Sequence, residues 1–315
     1  MKDLIIHGNC IEIMKSFPDE SIDCCVTSPP YWGLRDYGVE GQLGLENTPE
    51  EYTEKLVSVF REVKRVLKRE GTLWLNLGDS YAGSGKGYGH NGRLQCRNKG
   101  SSFGSLVRGM VPDGLKRKDL VGIPWRVAFA LQADGWILRS EIICYKPNAM
   151  PESVRDRPTR AHEYIFLMSK SANYFYDYEA ILEPLQRPEE LERSTPAMFG
   201  GRNKHNGFGT RKHSGNEYKG ELKGRNKRSV WMVATRPFSD AHFATFPPDL
   251  IEPCIIAGCP SGGLVLDPFF GTGTAGLVAM KAGRHFIGIE LNEEYVAMAK
   301  RRLIREIPLL VYNAL

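Results

Sequence analysis

The sequence has no apolar run that approaches the ~20 residues needed to cross a membrane as a helix. No secretory cleavage pattern follows its first residues, where acids lie close to a short apolar patch. The seven cysteines are odd in number and scattered, without the C-x-x-C spacing of zinc sites. We therefore expect a cytoplasmic protein with no disulfide scaffold, no metal site and no membrane contact.

Most of the chain has little excess of positive over negative residues, and its net charge is +5 at pH 7. Two glycine-rich segments are exceptions. Residues 201–230 contain nine lysines and arginines against two acids, and residues 83–118 contain eight against one. Both segments have few large apolar residues, so we expect them to be surface inserts. Two such inserts favour a polyanionic partner over an ordinary solvated surface.

Short apolar segments alternate with helical patterns along the chain. The clearest helix is predicted over residues 49–68, where Thr48 can cap the N-terminus and Pro49 takes the first helical position. One face of this helix carries its apolar residues: Leu56, Val59, Phe60, Val63, Val66 and Leu67. The alternation predicts an α/β fold, in which helices cover both faces of a twisted, mostly parallel sheet.

A glycine-rich turn follows the apolar strand in "LVLDPFFGTGTAG". Gly271, Gly273 and Gly276 fit the G-x-G-x-x-G pattern, and Glu290 lies where a ribose-binding acid would be expected. A nicotinamide or flavin site is therefore one interpretation. However, the carboxylate of Asp267 at the strand end would repel a pyrophosphate and suits a cationic ligand. S-adenosylmethionine carries a sulfonium and an ammonium, and its ribose hydroxyls could donate to Glu290.

The stretch "TSPPYW" ends another apolar strand in an unusual way. Pro29 and Pro30 cannot continue a strand ladder, so the sheet must end at this point. A large aromatic residue, Tyr31, then follows on a stiff turn beside the small hydroxyl of Ser28. This arrangement suits a platform for a flat ligand, whereas Trp32 fits either that platform or the core.

These two motifs together resemble those of the DNA amino-methyltransferases, which methylate an exocyclic nitrogen of cytosine or adenine. Ser28, Pro29, Pro30 and Tyr31 match the catalytic motif (Ser/Asp/Asn)-Pro-Pro-(Tyr/Phe). The cofactor motif is matched by Asp267, Pro268, Phe269, Gly271, Thr272, Gly273 and Thr274. The catalytic motif comes first, which is the circularly permuted order of the family's beta group.

Other segments carry the same resemblance. "IIHGNC" is similar to the family's G-D-C motif, with Asn9 in place of Asp. "HFATFPPDLIEPCIIAGCP" resembles the segment that helps to hold methionine, and it contains Phe246. The resemblance implies that Asn9, Phe246 and Glu290 join the cofactor motif in binding S-adenosylmethionine.

The resemblance also implies a Rossmann-like methyltransferase fold and a division of the chain. Residues 1–180 and 231–315 would form one catalytic domain, with a basic insert at 83–118, and residues 181–230 would form a target-recognition insert. Double-stranded DNA is the implied partner, and a homodimer remains open because members of the group are often dimers. The expected DNA contacts are Arg202, Lys204, Arg211, Lys212, Arg225, Lys227 and Arg228.

The chemistry of the family explains its catalytic motif. The target base must leave the duplex, and the oxygen of Ser28 and the carbonyl of Pro29 would then accept hydrogen bonds from its amine. Tyr31 would stack on the base, and both motifs are expected at the carboxyl ends of adjacent parallel strands. Serine in the first position favours cytosine N4, with adenine N6 as the alternative.

Three other functions are weighed against this one. Methylation of cytosine carbon 5 needs a thiolate, and Cys259, in the only Cys-Pro pair, lacks the usual following motif and is interpreted as structural. An oxidoreductase remains an alternative through the glycine pattern. A catalytically inactive DNA-binding protein is another, although the intact catalytic and cofactor motifs weigh against it.

Overall fold

The apolar segments of the sequence form one mixed β-sheet. The computed structural model describes residues 2–34, 36–83, 111–184, 224–234 and 247–308. Within them the sheet has eight strands: β1 (Leu4–His7), β2 (Ile22–Thr27), β3 (Leu67–Leu77), β4 (Ile137–Tyr145), β5 (His162–Ser169), β6 (Val230–Met232), β7 (Leu264–Asp267) and β8 (His285–Glu290). Their order across the sheet is β1-β8-β7-β2-β3-β5-β4-β6.

The sheet is mostly parallel, as predicted. Strands β1, β8, β7, β2 and β3 pair in parallel, and β5 alone runs antiparallel to both of its neighbours. From β2 the chain continues outward to β3, whereas from β7 it continues to β8 on the other side. The strand order therefore reverses between β2 and β7, where α/β sheets form ligand-binding crevices.

The described residues contain six α-helices and one short 3-10 turn (Glu179–Ile181). The helices are α1 (Cys10–Met14), α2 (Pro49–Val66), α3 (Ile123–Ala133), α4 (Pro248–Gly258), α5 (Thr274–Lys281) and α6 (Glu293–Glu306). The predicted start of α2 is confirmed, because Thr48 Oγ1 accepts a hydrogen bond from the Glu51 N–H at 3.1 Å. Its predicted apolar face is buried, although the helix ends at Val66 and Leu67 begins β3.

Helices cover both faces of the sheet, which confirms the predicted layering. The buried sides of α2 and α3 share one core cluster with Cys25 and Leu266. Gly258 of α4 lies on the other face, where Thr72 Oγ1 donates to its carbonyl at 3.1 Å. No helix in the described ranges is long and apolar enough to cross a membrane.

The chain divides into two compact units. One consists of Met1–Asp177 with Arg228–Leu315 and contains the sheet, and the other is Tyr178–Lys227. Within the second unit, Glu183 and Arg225 exchange backbone hydrogen bonds at 2.9 Å, and their side chains form an ion pair. The predicted role of residues 181–230 in target recognition stays a prediction.

Candidate active site

The catalytic motif and the cofactor motif meet at one edge of the sheet. Thr27 ends β2 and Asp267 ends β7, and these neighbouring strands are parallel. The Thr27 hydroxyl donates to Asp267 Oδ1 at 2.6 Å, and both side chains are buried. This contact joins residues 240 positions apart and confirms that the two turns lie at the carboxyl ends of adjacent strands.

The turn after β2 is fixed from several sides. The Tyr52 hydroxyl donates to the Pro30 carbonyl at 2.8 Å. The ring of Tyr31 lies against Gly78, where a Cβ atom would stand only 2.5 Å from a ring carbon. Glycine at position 78 is therefore required for this ring position. Trp32 is 5% exposed and belongs to the core, which decides between its two predicted locations.

Asn76, near the end of β3, orients the Ser28 hydroxyl. Its Nδ2 donates to the Tyr164 carbonyl at 3.0 Å, which leaves Oδ1 as an acceptor facing the catalytic turn. The hydroxyls of Tyr31 and Ser28 approach that oxygen at 2.9 and 3.3 Å. When Ser28 donates its proton to Asn76, its lone pairs remain to accept hydrogen bonds from a ligand.

A charged pair completes this side of the site. Glu163 Oε2 lies 3.2 Å from the Tyr31 hydroxyl, and Glu163 Oε1 accepts from Lys146 Nζ. Sequence reasoning did not identify Asn76, Glu163 or Lys146 as site residues. The signal available for Asn76 was a polar residue inside the apolar strand "LWLNL".

Asp267 is the buried carboxylate of the cofactor turn. Its Oδ1 also accepts from the Phe269 N–H at 3.0 Å, which ties the turn to the strand end. Burial raises the pKa of Asp267 to about 7, although its two hydrogen bonds act in the opposite direction. A cationic ligand would favour the ionised form and offset the cost of burial.

Glu290, at the end of β8, holds the other side of the same turn. Its Oε2 accepts from the Gly271 N–H at 2.7 Å, and its Oε1 accepts from the Asn292 N–H at 2.8 Å. Burial raises its pKa, and these backbone donors partly counter the effect. Each oxygen keeps a further lone pair for a hydroxyl donor.

Glycines of β8 and α5 make room for the ring of Phe270, which belongs to the cofactor turn. A Cβ at Gly288 would lie 2.2 Å from that ring, and one at Gly276 would lie 2.7 Å from it. Gly271 and Gly273 have φ values of +52° and +82°, which glycine adopts readily. Gly276 therefore serves packing, while Gly271 and Gly273 shape the backbone.

Arg302 of α6 fixes the two threonines of the turn and was also missed from the sequence. Its guanidinium is 6% exposed and donates to Thr274 Oγ1 at 2.8 Å and to Thr272 Oγ1 at 3.3 Å. Thr272 and Thr274 are buried. The predicted cofactor role of both threonines stays a prediction, and their hydroxyls face an arginine of the protein.

A cavity of about 990 Å³ connects the two turns. All four predicted catalytic residues line it, and so do most predicted cofactor residues: Asn9, Asp267, Pro268, Phe269, Gly271, Thr272, Thr274 and Glu290. The Asn9 side chain also caps α1, where its Oδ1 accepts from the Ile11 N–H at 2.9 Å. Phe246 lies outside the described residues, whereas Pro247 beside it lines the cavity.

The predicted DNA contacts fall mostly outside the described residues. Those are Arg202, Lys204, Arg211 and Lys212. Arg225 is described, and its guanidinium pairs with Glu183 at 3.0 Å. Lys227 is half-buried and Arg228 is exposed, and their contact with DNA stays a prediction.

The cysteines near the sheet are thiols in the core. Cys259 is fully buried, and burial raises its pKa to about 12. Burial also raises the pKa values of Cys24 and Cys25. A thiol held neutral in this way is a poor nucleophile, which agrees with the structural interpretation of Cys259.

Comparison with known proteins places these observations in a family. The family model N6_N4_Mtase, described as DNA methylase, matches residues 22–301. The Type II methyltransferase M.XycI of Xanthomonas campestris pv. cyanopsidis is 49% identical over 95% of this chain and 87% of its own length. M.Cfr9I of Citrobacter freundii is 47% identical with the same coverage, and M.SmaI of Serratia marcescens is 46% identical over 96% and 90%.

Solved structures share the fold at lower identity. The cytosine-N4-specific PvuII DNA methyltransferase matches with a TM-score of 0.63 at 20% identity, over 96% of this chain and 86% of that one. A Thermus thermophilus protein solved with S-adenosyl-L-methionine matches with a TM-score of 0.57 at 24% identity, over 97% and 96%. The fold is the Rossmann-like methyltransferase fold, and the chain belongs to the N6/N4 DNA methylase family.

Proposed function

We propose that this DNA methyltransferase transfers a methyl group from S-adenosylmethionine to N4 of a cytosine flipped out of double-stranded DNA. The observation that carries the proposal is the buried hydrogen bond between Thr27 and Asp267. It holds the turn suited to a base beside the turn suited to a cationic cofactor, within one cavity. Such positioning of two reactants can lower a barrier by several kcal/mol without a covalent intermediate.

The cofactor turn fits S-adenosylmethionine because its carboxylates can accept hydrogen bonds from the ammonium and the ribose hydroxyls. Both hydrogen bonds recorded for the Asp267 carboxylate in the described residues reach Oδ1, so Oδ2 is left for an ammonium. Glu290 keeps lone pairs for the two ribose hydroxyls. When bound, the cofactor supplies an electrophilic methyl group. Asp267 and Glu290 would hold it, and Pro268 and Phe269 would line its pocket.

The catalytic turn can activate the base amine, which is a weak nucleophile. The lone pair of a base amine is delocalised into the ring, so the nitrogen is a weak nucleophile. Hydrogen bonds from the amine to Ser28 Oγ and the Pro29 carbonyl would favour a tetrahedral nitrogen and direct its lone pair at the methyl group. Asn76 keeps the Ser28 lone pairs available, and Tyr31 supplies a stacking surface worth ~1–3 kcal/mol.

Cytosine is proposed over adenine because of Ser28, since cytosine enzymes of this family typically have serine there and adenine enzymes typically have aspartate. The fold neighbour specific for cytosine N4 supports that choice. The relatives described as Type II methyltransferases support a role beside a restriction enzyme. We further propose that residues 181–230 recognise the DNA sequence.

Nucleoside mass spectrometry tests this proposal. Unmethylated genomic DNA is incubated with the purified protein and methyl-labelled S-adenosylmethionine, one portion is digested and analysed, and the methylated positions are mapped by sequencing an undigested portion. Label in 4-methylcytosine is the expected result. Label in 6-methyladenine would replace cytosine by adenine at the same site, and an absence of label across varied DNA would favour a binding protein without turnover.

A further inference from the structure

The Lys146–Glu163 pair lies beside the proposed base pocket. Lys146 follows the end of β4, and Glu163 is the second residue of β5. The two side chains are 25% and 22% exposed, and both line the cavity that contains Ser28 and Tyr31. A charged pair that is largely shielded from solvent and lines a cavity is suited to ligand recognition.

The pair is linked to the catalytic turn through Tyr31. Glu163 Oε2 lies 3.2 Å from the Tyr31 hydroxyl, which in turn lies 3.4 Å from Ser28 Oγ. The amine of a base stacked on Tyr31 must lie at Ser28. The rest of its Watson–Crick edge would then run along the rim of the Tyr31 ring toward Glu163, which contacts the Tyr31 hydroxyl and holds Lys146 in the same cavity.

The ammonium of Lys146 has N–H donors from which a bound base could accept hydrogen bonds. An ammonium has three N–H groups, and in the described residues its one recorded acceptor is Glu163 Oε1. Glu163 also balances the charge of the ammonium, so Lys146 can face a neutral base without an unpaired charge in the pocket.

We propose that Lys146, held by Glu163, donates a hydrogen bond to the O2 carbonyl of the flipped cytosine and so makes the pocket prefer cytosine over adenine. Cytosine presents N3 and O2, both acceptors, beside its amine. Adenine presents N1 and then a C2–H group, which offers Lys146 no acceptor beyond Glu163. A pocket built to form a hydrogen bond rejects a ligand that lacks the partner more strongly than an apolar pocket does. This inference rests on the proposed cytosine specificity.

The test measures binding to three DNA duplexes that differ at the target position only, which holds cytosine, adenine or an abasic site. The duplexes contain the methylation site mapped by sequencing, and S-adenosylhomocysteine is present. For Lys146→Met we expect the Kd for the cytosine duplex to rise about 10-fold, with changes below about twofold for the other two. Lys146→Arg, which keeps a donor, should retain most of the cytosine preference.

Lys170 provides a matched control. Its side chain is 21% exposed, like that of Lys146, and pairs with the exposed Glu20 at 2.9 Å, but it follows the other end of β5, away from the cavity. Lys170→Met should leave all three Kd values within about twofold of the wild type.

Two outcomes would overturn the inference. Equal weakening on all three duplexes would show that Lys146 contacts the DNA backbone. Unchanged binding to all three, even with slower turnover, would show that the pair only positions Tyr31. The proposed function is judged separately, from the methylated nucleoside that the wild-type protein makes.

Discussion

The turns after β2 and β7 occupy equivalent places in the sheet but differ in the residue types that form them. The turn after β2 has two prolines, and its Ser28 and Pro29, which line the cavity, carry the neutral acceptors proposed for the base amine. The turn after β7 has glycines with positive φ and is bounded by two carboxylates, the buried Asp267 and the half-buried Glu290. Parallel strand ends thus provide the location, while the residues of each turn decide what it can bind.

This difference matches the two ligands proposed for the site. A flat, uncharged base needs a rigid surface and acceptors at fixed positions, which proline and a packed tyrosine provide. A flexible cationic cofactor needs charge and close approach to the backbone, which carboxylates and glycines provide. Changes in the first turn should therefore affect turnover, and changes in the second should affect cofactor binding.

Ser28→Ala should produce the largest effect on turnover. It removes one of the two acceptors proposed for the amine, and we expect kcat to fall about 100-fold, the scale seen when one catalytic hydrogen bond is deleted. The Kd for S-adenosylhomocysteine should change by less than about twofold. Single-turnover methylation and calorimetry measure the two quantities.

Ser21→Ala is the matched control for this variant. Ser21 stands immediately before β2, as Ser28 stands immediately after it, and its hydroxyl donates to the Pro18 carbonyl at 2.8 Å. It should leave kcat unchanged. A Ser28→Ala enzyme that keeps its kcat but loses cofactor affinity would contradict the division between the two turns.

The pH dependence of cofactor binding should show the next largest effect. Asp267 has a pKa of about 7 in the free protein, so it becomes protonated as the pH falls through that value. A cationic ligand binds the ionised carboxylate. The affinity for the cofactor should therefore be nearly maximal at pH 8 and should decrease as the pH falls through 7. Between pH 8 and pH 6 we expect the Kd for S-adenosylmethionine to rise about 10-fold.

Calorimetry across this pH range provides the measurement. Asp267→Asn should bind weakly at every pH and lose this transition, since the amide does not titrate. If Asp267→Asn kept the wild-type transition, the titrating group would lie elsewhere in the site.

Two glycine substitutions should give the smallest effects, and each should change a different kinetic or binding parameter. Gly78→Ala would push the ring of Tyr31, and Gly288→Ala would push the ring of Phe270. Overpacking of this kind costs about 1 kcal/mol or more, so we expect about a fivefold fall in kcat for the first and about a fivefold rise in cofactor Kd for the second. If both variants changed the same parameter, the two turns would be acting as one unit.

Much of the fold could be predicted because its signals are local. The cap at Thr48 and the apolar face of α2 appear within one stretch of sequence, and the structure confirms both. Strand β6 was not predicted, because its three residues carry no periodicity and two of them, Val230 and Met232, are exposed. Arg302 also escaped notice, since an arginine near the C-terminal end of a helix ordinarily faces solvent.

The sequence by itself determined the α/β class, the two motifs and the expectation that they meet, because prolines, glycines and strand-end acids act on the backbone next to them. Only the tertiary structure decided that Asn76 and Glu163 contact Tyr31, that Lys146 pairs with Glu163 and that Arg302 fixes the cofactor turn. These residues come from β3, β5, the end of β4 and α6. Their contacts depend on strand order and register, which pair residues far apart in the chain and which no local pattern specifies.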